Sequence, residues 1–215
     1  MLKDKDIREP LFFFLEEKYG KIRILEEKNT GRSRADAVMV TDDALYGIEI
    51  KSDADTYARL SRQVEDYDRY YDRNIVVVGS SHAHHIREHV PDHWGVITVE
   101  MEEGDYDFYV MREPLPNTEA TFANKLDFLW RPEIAKIQEE HDMPAYNYLS
   151  KSKVIGKIIE WTDDGRIPKD RLQAQICELL FERDYNTIFD EINKYRQEHG
   201  LHKRRRTKKR RKRSK

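Results

Sequence analysis

The run Ile75-Val76-Val77-Val78, closed by Gly79, most narrows the folds open to this chain. Four consecutive β-branched residues without polar alternation are expected of a strand buried on both faces. Around that run the apolar spacing changes period. Ile7, Leu11, Phe14 and Leu15 fall on one face of a helix over 7–19, with Pro10 placed in its first turn. Strand-like runs follow at 21–27, 34–40 and 44–51, the last two flanking Thr41-Asp42-Asp43 as a hairpin connection. Residues 55–71 read as a helix, because Leu60, Val64, Tyr67 and Tyr71 recur at helical steps. A short helix near 82–89 and strands at 96–99 and 107–111 complete this half.

From about Pro116 the pattern is helical throughout. Phe122, Leu126 and Leu129, then Val154, Ile155 and Ile158, then Leu172, Ile176 and Leu180 mark successive apolar faces, punctuated by Pro132, Pro144, Gly165 and Pro168. The predicted architecture is α/β: a mixed sheet in an αβββαβ order, a C-terminal all-helical extension and a basic tail. Three regions are expected, at 1–115, 116–200 and 201–215.

Charge separates the tail from the rest. The chain's formal charge of −2 is the sum of −13 over residues 1–202 and +11 over Lys203–Lys215, where no acid occurs. A basic arm of this kind favours nucleic acid or another anionic partner. It contains no aromatic residue, so it can tether a strand but has no platform on which to stack bases. The single cysteine, Cys177, excludes an intramolecular disulfide framework. No apolar run approaches the length of a membrane span, and the first ten residues lack the apolar stretch of a secretory signal. A cytoplasmic protein is expected, at the nucleoid in a bacterium or in the nucleus in a eukaryote.

Asp36, Glu49 and Lys51 are the candidate chemical residues. Glu49 and Lys51 are two apart on a strand and leave the same face, while Ile48 and Ile50 leave the other. Asp36 starts the preceding strand, so a hairpin brings it beside Glu49. Paired carboxylates repel unless a cation lies between them. Hard oxygen ligands suit Mg²⁺ or Mn²⁺, with Lys51 placed to hold a water or to offset charge on a phosphate. On the following helix Asp55, Arg59, Gln63 and Tyr67 are each four apart and form one slanting row.

This constellation resembles the PD-(D/E)XK nuclease superfamily, whose signature would read Asp36, then Glu49-Ile50-Lys51. Gln63 and Tyr67 look like the QxxxY element of its RecB-like members. The stretch GRSRADAVMV…GIEIKSDADTYARLSRQVEDYDRYYDRNIVVVG, with VPDHWGVI and LWRPEI beyond it, is similar to a group of bacterial PD-(D/E)XK-like proteins over about residues 20–135. The resemblance implies a restriction-endonuclease-like core and a metal-dependent nuclease acting on DNA. Asp36 and Glu49 would bind Mg²⁺ together with the Ile50 carbonyl, and Lys51 would be catalytic. Arg34, Asp55, Arg59, Gln63 and Tyr67 would contact substrate or support the site. A further superfamily glutamate has four candidates here, Glu9, Glu16, Glu26 and Glu27.

Two other readings stand beside it. A nucleic-acid-binding module can keep the fold without turnover, using Arg32, Arg34, Lys51, Arg59 and Arg62 as a basic patch in an otherwise acidic body. A protein-interaction adaptor can use the helical half. The segment SKSKVIGKIIEW, after the helix at 133–141, faintly resembles SAP-like DNA-binding motifs and serves equally as a packing cap. His85, His89 and His93 share a four-residue spacing, but Pro91 is expected to end the helix before the third of them. Cys177 is expected to be a small buried residue.

Overall fold

The structure, a computed structural model, describes residues 4–52, 56–185, 187–198 and 200. Asp55 and the basic segment Lys203–Lys215 lie outside the described residues. The chain divides into two compact units, Met1–Arg183 and Asp184–Lys215, so the division expected at 115/116 falls inside the first. Within the second unit, the helix Ile188–Glu198 is described.

The first unit is a mixed α/β architecture with a C-terminal helical extension. Helix α1 (Asp4–Tyr19) leads into strands β1 (Arg23–Thr30), β2 (Ser33–Val40) and β3 (Leu45–Lys51). A 3₁₀ turn at Tyr57–Arg59 opens helix α2 (Leu60–Tyr70), followed by β4 (Arg73–Gly79), a short helix α3 (Ala83–Ile86), β5 (Gly95–Glu102) and β6 (Asp105–Arg112). Helices α4 (Phe122–Asp127), α5 (Arg131–Glu140), α6 (Lys151–Asp163) and α7 (Lys169–Phe181) follow. The six strands lie in sequence order. Pairing is antiparallel for β1–β2, β2–β3 and β5–β6, and parallel for β3–β4 and β4–β5.

The β-branched run lies at the heart of this sheet. Ile75 and Val77 pack with Ile7, Leu11 and Leu15 of α1, whereas Val76 and Val78 pack with Tyr67 of α2, with Tyr71 just past its end and with helices α4–α7. Both faces of β4 are therefore covered, which is why no polar alternation interrupts it. Pro10 differs from its expected place: α1 begins at Asp4, a turn earlier, and carries Pro10 inside the helix.

The helical extension shares the core of the sheet. Lys125 of α4 donates to Asp72 at 2.7 Å, and Asp72 also accepts from the backbone N–H of Leu45 and from Gln173 of α7. At the far end, Arg183 and Glu133 form a buried two-pronged ion pair beneath the Trp130 ring, joining the end of α7 to the start of α5. Helix α6 turns Val154, Ile155 and Ile158 into the same core, as a packing cap does.

Cys177 is fully buried on α7, and burial, then the nearby Asp72, push its thiol up to about 12. Deprotonation is thus displaced far above neutral pH, and the thiolate is the reactive form. A thiol reagent at pH 8 should leave the native protein unmodified and titrate one thiol after denaturation.

Candidate functional site

Strands β2 and β3 separate at the end that carries Asp36. Their ladder runs from Val40↔Leu45 to Ala37↔Ile48. Beyond it the Asp36 carboxylate itself accepts from the backbone N–H of Ile50 at 2.9 Å. A side chain thus substitutes for the next rung, and the space beside it opens as a cleft of about 410 Å³. Its lining runs from Asn29, Arg32, Ser33 and Arg34 through Asp36, Glu49, Ile50 and Lys51 to Arg59, Arg62 and Gln63.

The cleft floor is a closed polar network. Glu49 and Lys51 are only 2% and 6% exposed, and Lys51 Nζ donates to Glu49 Oε1 at 2.6 Å. Gln63 joins both, donating to Glu49 Oε1 at 2.5 Å and accepting from Lys51 at 3.0 Å. The Tyr67 hydroxyl donates to Glu49 Oε2 at 2.5 Å and contacts the Ile48 carbonyl oxygen at 3.2 Å. Burial, then the Glu49 charge, hold the Tyr67 phenol well above the usual range, so it remains a proton donor. Three donors thus occupy a carboxylate with roughly four acceptor positions.

This network requires α2 to approach β3 very closely, and Gly47 permits it. A Cβ at Gly47 would lie 2.2 Å from Tyr71 Cδ2 and 2.7 Å from Tyr67 Cδ1. The opposite wall is held by Asp66, also on α2. Its carboxylate accepts from Ser33 Oγ at 2.7 Å and from the backbone N–H of Arg32 at 3.2 Å, which fixes the β1–β2 turn against the helix.

Asp36 faces an internal cation rather than open solvent. Arg8 of α1 reaches Asp36 Oδ1 at 3.6 Å, Glu26 at 3.2 Å and Glu27 at 3.9 Å. Of the four glutamates left open by the sequence, Glu26 and Glu27 share this guanidinium, while Glu9 and Glu16 are exposed on α1. Arg34 lines the cleft and pairs with Glu27 at 3.0 Å; Arg32 pairs with Glu65. Ile50 contributes its N–H, and its side chain packs on the α1 side.

The residues Asp36, Glu49, Lys51, Gln63, Arg34 and Arg59 therefore share one cleft, with Tyr67 beneath it. Arg8 and Asp66 were missed. Each lies far in sequence from the partner it meets, and no local spacing signals either contact. The two carboxylates expected to hold Mg²⁺ are instead engaged by Arg8, Lys51, Gln63, Tyr67 and a backbone N–H. Among the described residues, no three His, Cys, Asp or Glu side chains gather in a group that could hold a metal ion. The histidines do not align either: α3 ends at Ile86, His93 bonds Asp68, and His89 packs at a tilt against Tyr57.

The family model described as Bacteriophage P4 protein cII matches residues 3–203. The chain belongs to the Bacteriophage P4 protein cII family. No curated protein and no solved structure matches it. The P4 cII match spans the whole stretch, about 20–135, on which the resemblance to PD-(D/E)XK nucleases rested. That recognition is corrected by it: the family is P4 cII, not a PD-(D/E)XK nuclease family. The nuclease activity, the enzyme class and the magnesium-dependent hydrolase reading fall with the recognition. The chemistry of the motif explains the false resemblance. Asp, Glu, Lys and Gln at this spacing build a salt-linked network in a P4 cII protein as readily as a metal site.

Proposed function

We propose that this P4 cII family protein binds nucleic acid through the cleft without turnover. One observation carries the reading. The cleft is lined by five basic side chains and two acidic ones; Lys51 pairs with Glu49, Arg34 with Glu27 and Arg32 with Glu65 and Asp66, while Arg8 is shared by Asp36, Glu26 and Glu27. Arg59 and Arg62 stand exposed at its rim with no ion-pair partner among the described residues. In a body of charge −13, this pair of guanidiniums is a local positive site that favours a phosphate backbone. A second cavity, of about 440 Å³, carries Asp42, Asp43, Glu178 and Glu182 and has the opposite preference.

In this proposal the succession α1–β1–β2–β3–α2–β4 is a restriction-endonuclease-like core that serves as a binding scaffold. The basic segment Lys203–Lys215 adds sequence-independent affinity to it. The test is fluorescence anisotropy of labelled oligonucleotides with the full chain. The Arg59→Ala/Arg62→Ala double variant should bind at least about tenfold more weakly, each charge-assisted contact contributing on the order of 1.5 kcal/mol. DNA incubated with wild type and Mg²⁺ should stay intact. Unchanged affinity in the double variant, or cleavage by the wild type, would contradict the reading.

A further inference from the structure

A cluster of three rings stands at the edge of the sheet where β3 and β4 end, outside the lining of the cleft and outside the network described above. Tyr57 and His89 lie 4.4 Å apart between ring centroids, inclined by 36°. His82 meets the Tyr57 ring edge-on at 5.8 Å, and its Nδ1 is hydrogen-bonded to the Tyr57 hydroxyl at 3.0 Å. Tyr57 is thereby fixed at both its ring and its hydroxyl. His89 is exposed, so the pair presents aromatic surface to solvent on a preset support.

Its position follows from the sheet. Strands β3 and β4 are parallel, with Lys51 opposite Val78. Both therefore end on the same side, where open α/β sheets offer their ligand crevice. His82 closes the 3₁₀ turn that leaves β4, and Tyr57 opens the 3₁₀ turn that carries Arg59. The rings thus stand at the same edge of the sheet as the cleft, on the face of the helix start that carries Leu60 and Val64, while Arg59 and Arg62, the two rim cations with no ionic partner among the described residues, line the cleft from the other face. A strand that crosses the start of this helix would meet both, and rings and guanidiniums match two features of one ligand, a base face and a phosphate. A duplex offers only the phosphates, because its base faces are stacked within the helix. An unpaired strand offers both.

We propose that Tyr57 and His89 form a base-stacking platform that makes the cleft selective for unpaired nucleotides. This rests on the nucleic-acid reading of the cleft and adds the strand class to it. The experiment is anisotropy titration of the full chain with a labelled single strand, as DNA and as RNA, and with the same sequence as a DNA duplex. Wild type should prefer the single strand. His89→Ala and Tyr57→Ala should each weaken single-strand binding about tenfold and leave duplex binding within about twofold, whereas Tyr57→Phe, which keeps the ring, should retain the preference. A tenfold loss with either strand chemistry supports the platform and identifies which nucleic acid it serves. Because His89 is an exposed side chain, its variant reads binding even where Tyr57→Ala disturbs the fold. Equal losses on single strand and duplex, or none on either, would overturn the platform while leaving the cleft reading intact. Failure of the cleft reading shows separately, as an Arg59→Ala/Arg62→Ala variant that binds every oligonucleotide like wild type.

Discussion

Replacing Gly47 with alanine should destabilise the protein by about 3 kcal/mol or more, the upper range for overpacking a close-packed interior. The added methyl group would have to occupy space 2.2 Å from Tyr71 and 2.7 Å from Tyr67. Neither ring can step aside cheaply. Both are fully buried, Tyr71 shares a hydrogen bond at 2.5 Å with Thr30, and Tyr67 bonds Glu49. Relief therefore means lifting α2 from the sheet, which would also separate Gln63 and Tyr67 from Glu49. For a unit of this length the midpoint of thermal unfolding should fall by roughly 6–12 °C. Circular dichroism checks this, and a variant that melts with the wild type would show that the close approach of α2 to β3 is wrong.

The second large effect is expected at Lys51. Lys51→Met removes the buried cation beside Glu49 and leaves the carboxylate with Gln63 and Tyr67 as donors. Breaking a buried ion pair from one side costs about 3–5 kcal/mol, because the remaining charge is uncompensated. Adding Glu49→Gln should recover much of that loss. A neutral amide at 49 can accept from Tyr67 and donate to the Gln63 oxygen that Lys51 has vacated. The double variant should thus be more stable than Lys51→Met alone, the non-additivity expected of residues in one network. Chemical denaturation of the four proteins in this cycle measures it. Strictly additive losses would mean that the pair is not a coupled buried unit.

These two sites show what the sequence makes legible and where it stops. The shared face of Glu49 and Lys51 follows from strand period two, and the row Arg59, Gln63, Tyr67 from helical spacing, so local geometry assembled most of the cleft. The double burial of β4 was equally readable from Ile75–Val78. Arg8 was not readable. It lies 28 residues from Asp36, and only the packing of α1 across the sheet brings its guanidinium to the carboxylates. That contact ties Asp36 to an internal cation, and it is tertiary. Gly47 was similarly silent, since a glycine within a strand signals close approach without naming what approaches. The family assignment was overturned by the P4 cII match over residues 3–203, because charged residues at a given local spacing do not by themselves specify a family.

Direct engagement of phosphate by Arg59 and Arg62 is the central claim, and the salt dependence of binding tests it most directly. With the full chain and a single-stranded oligonucleotide, the slope of log affinity against log salt reports the number of phosphates neutralised. Arg59→Ala/Arg62→Ala should reduce its magnitude by about 1.4, roughly 0.7 for each single-strand phosphate that is no longer neutralised. A slope identical to wild type would place the phosphate-binding residues elsewhere on the chain and contradict the assignment of the cleft.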